Sequence, residues 1–185
     1  MSASFPDMEK VGDAMARVAS SEIMPLFENL ASHEIDAKKS GEVVTVADTR
    51  AENRLAQELA EIYPDAAIIG EEEAAADPTT LKPLEGDGPI WIIDPLDGTR
   101  NFSEGEPCFA VIVAFCQGGR TLAGWIHNPL DGQTASARLG DDTPAAGRAD
   151  FRRRTWIEPA ENGGLPVVKQ TVHPKTAIIQ HGESI

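Results

Sequence analysis

The sequence predicts an α+β fold, a layered αβ sandwich in which a mostly antiparallel sheet is flanked by two helices. Three observations carry this expectation. Two early stretches repeat apolar residues at helical spacing, several apolar runs rich in β-branched residues end at an acid, and three further strand-like runs follow one another across turns containing glycine. With 185 residues, 41% of them hydrophobic and 25% charged, the chain is long enough to bury a sizeable core.

The elements follow in order. Residues 7–31 read as a helix, with Met8, Val11, Met15, Val18, Ile23, Leu26 and Leu30 near a 3.6-residue period, kinked or restarted at Pro25. Val43-Val44-Thr45-Val46-Ala47 is a β-branched run that stops at Asp48. A second helix is expected over 49–62, its Ala51, Leu55, Leu59 and Ile62 on one face and its end at Tyr63-Pro64-Asp65. Thr49 and Glu52 have capping-box spacing at its start, and capping alone also accounts for Asp48. Ile68-Ile69 delivers Gly70-Glu71-Glu72-Glu73, and residues 74–88, rich in Pro, Gly and acid, are expected to be a mobile loop. Residues 90–93 form a buried strand ending at Asp94. The runs 108–116, 121–127 and 133–139, separated by Gly118-Gly119 and by Asn128-Pro129-Leu130-Asp131-Gly132, predict an antiparallel meander.

The chemistry concentrates in Trp91-Ile92-Ile93-Asp94-Pro95-Leu96-Asp97-Gly98-Thr99-Arg100-Asn101-Phe102. Pro95 fixes its own φ and biases Asp94 toward extended backbone, so the chain leaves the strand in a defined direction. Asp94 and Asp97, three apart, reach one side of a tight turn. Two carboxylates that close either share a proton or are bridged by a cation. Oxygen ligands without neighbouring His or Cys favour Mg²⁺, Mn²⁺ or Ca²⁺ over zinc. Gly98 allows close backbone approach to a ligand, and Thr99 offers a hydroxyl and an amide at a helix start. The same letters also describe a capped surface turn. The acids upstream favour a site, with Glu71 the better ligand candidate because it adjoins the glycine and the strand end, and with Glu72 and Glu73 read as a solvated run.

The blocks Val44-Thr45-x-x-Asp48, Gly70-Glu71-Glu72 and Trp91 to Phe102 together resemble the inositol monophosphatase family of Mg²⁺-dependent phosphomonoesterases, over about residues 8–139. The resemblance implies the N-terminal half of that fold. It implies that Glu71, Asp94 and the Leu96 carbonyl hold one Mg²⁺, and that Asp94 and Asp97 contribute to a second. It further implies that Leu96, Asp97, Gly98 and Thr99 border the substrate, with the Gly98 and Thr99 amides cradling its phosphate. Glu71 and Thr99 would polarise the attacking water and Asp48 would orient Thr99. The expected activity is hydrolysis of a small phosphate monoester resembling inositol monophosphate, without a covalent phospho-enzyme. A nucleotide bisphosphate, a sugar bisphosphate or histidinol phosphate is the alternative substrate, which Arg100 mildly favours. A catalytically incompetent, metal-binding fragment with a structural role is the third reading.

That third reading rests on the tail. Residues 1–140 are expected to form the phosphatase-like domain and 141–185 a divergent, truncated or frameshifted segment, because the family's Trp-Asp motif, which completes the second metal site, is absent and Trp156 precedes Ile157. Leu165-Pro166-Val167-Val168 and Thr176-Ala177-Ile178-Ile179 are candidate additional strands of the sheet, joined by a turn at His173-Pro174.

Charge and cysteines narrow the partners. A formal net charge of −14 argues against a nucleic-acid polymer, since only Arg152-Arg153-Arg154 cluster. The four histidines have no zinc-ligand spacing. Cys108 and Cys116 on one extended run would be about 26 Å apart, beyond disulfide reach. No signal pattern or bilayer-length apolar stretch is present, which predicts a cytoplasmic protein without a membrane partner. A sheet face left open by a missing second layer predicts homo-oligomerisation.

Overall fold

The computed structural model describes residues 5–38, 42–139, 155–158 and 167–170. The chain divides into two compact units, Met1–Leu139 and Gly140–Ile185.

In the first unit, helix α1 (Met8–Val18) opens at Asp7, whose carboxylate accepts from the Glu9 and Lys10 amides. It is shorter than the 7–31 stretch predicted. The chain widens into a π-turn over Ala19–Ile23 and then tightens into a 3₁₀ turn, Met24–Leu26. Pro25 is the reason: it has no N–H to donate to the preceding turn, and its ring disfavours a continuing α-helix. Strand β1 (Ile35–Ala37), which the periodicity did not reveal, pairs antiparallel with β2 (Val43–Thr45).

Helix α2 (Val46–Ile62) starts three residues earlier than expected. Its cap is Thr45 rather than Thr49: the Thr45 hydroxyl accepts from the Ala47 amide at 3.2 Å, and Asp48 reaches back to the Thr45 amide at 2.8 Å. Asp48 thus sits in the first helical turn, not at a strand end, and Glu52 is freed from capping its own helix.

Five strands form the main sheet in the order β3-β4-β5-β6-β7: Ala67–Gly70, Pro89–Asp97, Ala110–Gln117, Arg120–Asn128 and Gln133–Arg138. The β3–β4 pair is parallel and the rest antiparallel, so the predicted meander is present. Its first strand begins at Ala110, leaving Cys108 outside, and both cysteines are free thiols. Gly118 and Gly119 both take positive φ, 57° and 69°, the backbone a two-residue hairpin turn requires.

Residues 74–88 are not the loop expected. A parallel pair needs a crossover, and the chain supplies one with α3 (Glu71–Ala76) and a 3₁₀ segment, Pro78–Glu85.

One sheet face carries Trp91, Ile93, Val111, Val113, Phe115, Ala123 and Trp125, which pack with Val11, Met15, Val18, Leu55 and Leu59 of α1 and α2 in a single core. The Trp125 indole N–H donates to the Met8 carbonyl at 3.0 Å and ties α1 to the sheet. The other face alternates to Ile90, Ile92, Ala114 and Cys116, with Ile69 of β3, and packs Ala74 of the crossover.

In the second unit, β8 (Thr155–Glu158) pairs antiparallel with β9 (Val167–Gln170) as a separate two-stranded sheet. Residues 167–168 are therefore strand as predicted, but with this partner rather than the main sheet. Residues 173–174 and 176–179 lie outside the described residues. Among the described residues no helix is long and apolar enough to cross a membrane.

Candidate active site

The site is built where two strands end side by side. In the parallel β3–β4 register Gly70 faces Ile93, so the next residues, Glu71 just past the end of β3 and Asp94 in the last part of β4, emerge together. Burial first, then the charge of Glu71 and that of Asp97, push the Asp94 carboxyl up to about 9.

Strand β4 does not stop at Asp94 but bulges there. Asp94 pairs with Ile112 and Asp97 with Ala110, so Pro95 and Leu96 together oppose Val111. Proline suits this place because a bulge needs no ladder donor. The Leu96 side chain is buried in the core while its carbonyl is left out of the ladder and accepts from the Thr99 hydroxyl at 2.9 Å. The Leu96 amide donates to the Asp94 carboxylate at 3.3 Å. Asp97 is exposed beside them.

Gly98 turns the chain with φ of 91°, and a Cβ there would lie 2.7 Å from the Cys108 carbonyl oxygen. Both the left-handed backbone and the close approach demand glycine. The short helix α4 (Thr99–Ser103) follows, anchored by Phe102, whose ring packs against Phe27 and Phe109. Asn101 steadies the same turn by donating to the Cys108 carbonyl at 2.8 Å.

Asp48 joins the site from α2. Its Oδ1 accepts from the Thr99 hydroxyl at 2.9 Å, while Oδ2 accepts from the Thr45 hydroxyl at 2.6 Å. Burial raises the Asp48 pKa, with the Thr45 and Thr99 hydrogen bonds working against the shift. The Thr99 hydroxyl has one proton and two acceptors, Asp48 and the Leu96 carbonyl, so either can hold it when the other is engaged elsewhere.

Three residues were misjudged or missed from sequence. The Lys38 ammonium, only 10% exposed, contacts Glu71 at 2.6 Å and Glu72 at 2.9 Å. Burial lowers its pKa, but the bonds to Glu71 and Glu72 outweigh this and hold it above the ordinary lysine range. Glu72, read as solvated, is largely buried, and its pKa is raised by burial despite the ammonium. Glu52, read as a capping residue of α2, instead accepts from the Glu72 and Glu73 amides at 2.7 and 2.9 Å. The buried side of α2 signals Glu52, four residues after Asp48; no local pattern points to Lys38.

The donors fit a hard divalent cation in kind: carboxylates and a carbonyl, half-buried, with more negative charge than Lys38 balances. As the side chains stand, no three acidic, histidine or cysteine groups among the described residues converge into a ready cage, because Glu71 is turned to Lys38.

The sequence model of the inositol monophosphatase family matches residues 7–175. The chain belongs to that family. The match continues beyond residue 139, where the resemblance read from the sequence ends. The chain is 35% identical over 128 residues to Nus factor SuhB of Pasteurella multocida, covering 68% of this chain and 45% of that protein. It is 36% identical over 99 residues to human inositol monophosphatase 1, covering 54% of this chain and 35% of that one. Among solved structures it resembles the IMPase of Thermotoga maritima, with a TM-score of 0.60 at 25% identity, over 77% of this chain and 54% of the other. The chain thus spans less than half the length of these curated relatives.

Proposed function

We propose that this chain hydrolyses a small phosphate monoester, resembling inositol monophosphate, with Mg²⁺ held by Glu71, Asp94 and the Leu96 carbonyl, and with Asp97 and Asp94 contributing to a second ion. The observation that carries the reading is the β3–β4 register, which sets Glu71 against Asp94 beside the Thr99–Asp48 hydrogen bond. Family membership supports phosphatase chemistry of this kind. A divalent cation at this place supplies charge neutralisation for phosphoryl oxygens and a more acidic water.

The chain's own groups do the rest. Asp48 holds the Thr99 hydroxyl proton, which leaves that oxygen free to accept from a water and align it. Glu71 accepts the other hydrogen bond and the developing proton. Water oxygen bonds to phosphorus as the ester P–O bond breaks, and the leaving oxygen takes a proton from solvent water to depart as the alcohol; positioning and electrostatics carry the step. Gly98 lets the backbone of the turn approach a phosphate, in keeping with its φ of 91°. Self-association through the sheet face bearing Ile92, Ile112 and Ala114 is part of the same proposal, checked by sedimentation velocity.

Phosphate release with Mg²⁺ over a panel of phosphomonoesters, including inositol phosphates, nucleotide and sugar bisphosphates and histidinol phosphate, tests the reading. Turnover that falls about 100-fold in Thr99→Ala, with Mn²⁺ binding kept within about threefold, is the expected result. A flat panel from folded protein sinks the enzymatic reading and leaves the metal-binding fragment.

A further inference from the structure

Asp48 and Glu52 stand four residues apart on α2, and so on one face of that helix. Asp48 reaches the turn after β4 through Thr99; Glu52 reaches the turn after β3. One helix face therefore touches both halves of the acid-bearing rim.

The Glu52 contact is close on both sides. Glu52 is 8% exposed, and its carboxylate accepts from two consecutive amides, Glu72 at 2.7 Å and Glu73 at 2.9 Å. Such charge-assisted bonds to backbone N–H groups are about twice as strong as neutral ones. Gly70 leaves room for this carboxylate: a Cβ there would lie 2.2 Å from the Glu52 carboxyl carbon and within 2.6 Å of both its oxygens, so a side chain at 70 would displace it. The carboxylate thus fills the space a side chain at 70 would take, between the last residue of β3 and the first turn of α3. Glu71 is the one residue between Gly70 and the two anchored amides.

Resting on the metal reading above, we propose that Glu52 is a positioning residue: it touches neither cation nor substrate, and it fixes the backbone from which Glu71 is presented to Asp94. Groups that orient metal ligands from behind change affinity about 10–100-fold when removed. Glu52→Gln keeps the volume but replaces one acceptor by an N–H₂ that opposes an amide N–H. Glu73→Gln removes an equal charge from the same turn through an exposed side chain and leaves both amide bonds in place, so it serves as the control for the electric field alone.

Calorimetric titration of Mn²⁺ into the wild-type chain and both variants, each checked for folding by circular dichroism, is the test. Binding at least about 10-fold weaker in Glu52→Gln and within about twofold of wild type in Glu73→Gln is the expected result. Equal weakening in the two, or no weakening in Glu52→Gln, overturns the assignment while the metal reading stands. Wild-type protein that binds no Mn²⁺ overturns the metal reading and this inference with it. Should Glu52→Gln fail to fold, amide hydrogen exchange of the wild-type chain decides: Glu72 and Glu73 amides protected about tenfold or more support the anchor, and unprotected amides overturn it.

Discussion

The helix-covered face of the sheet and the rim at the ends of β3 and β4 are solved by opposite means. On the face, Trp91, Val113, Phe115 and Trp125 meet Leu55 and Leu59 of α2 and Met15 of α1, and the packing is apolar apart from the two indole N–H groups, of which that of Trp125 donates to the Met8 carbonyl. At the rim, Glu71 and Glu72 share one ammonium, that of Lys38, while Glu52, Asp94 and Asp97 stand on the neighbouring turns, and burial raises the pKa of Glu52, Glu72 and, most of all, Asp94. The face is complete within the chain. The rim carries more acid than Lys38 balances, which is the feature the proposed cation would answer.

Asp94→Asn should separate the two regions most sharply: phosphate release falls by at least about 100-fold, while the chain, measured by thermal unfolding in chelator, is as stable as wild type or more so. The reverse pattern is expected from Leu55→Ala on the enclosed face. Loss of a fully buried leucine costs roughly 2–5 kcal/mol in chemical denaturation, yet Mn²⁺ affinity of the folded protein stays unchanged.

The pH dependence has the sign of a surplus of acid. Because the folded, cation-free chain keeps a proton on Asp94 up to about 9 while the unfolded chain has released it, the folded state binds more protons, and stability falls as pH rises toward that value. His127, buried and held below its ordinary range chiefly by burial, acts in the opposite direction only below about 6.5. Differential scanning calorimetry in chelator should therefore show Tm decreasing by roughly 3 °C or more between pH 6.5 and 8.5, with the decrease reduced in Asp94→Asn. The smallest effect is expected from Lys38→Met, which removes the resident counter-charge: Mn²⁺ affinity rises by about threefold and the cation-free Tm falls.

The sequence showed the rim's main residues because they sit where strands end, and a strand end next to Gly70 or Pro95 leaves a local signature. It showed the meander for the same reason, through Gly118-Gly119 and its positive φ values. It did not show that residues 71–76 and 78–85 are helical, since that follows from β3 and β4 being parallel, a relation between residues some twenty apart. Two overlapping capping patterns, at Thr45 and at Thr49, compete for the start of α2, and tertiary contact of Asp48 with Thr99 favours the earlier one. Lys38 was invisible for a plainer reason: its partners are 33 and 34 residues away, and a lysine in a polar stretch carries no sign of being buried.

The central claim is that the rim is a divalent-cation site organised around Asp94. Mn²⁺ titration followed by the electron paramagnetic resonance of the free ion, in wild type and Asp94→Asn, addresses it without recourse to any substrate. The account predicts saturable binding by the wild-type chain, weakened at least about 30-fold in the variant; binding that is equal in the two, or absent from folded wild-type protein, would contradict it.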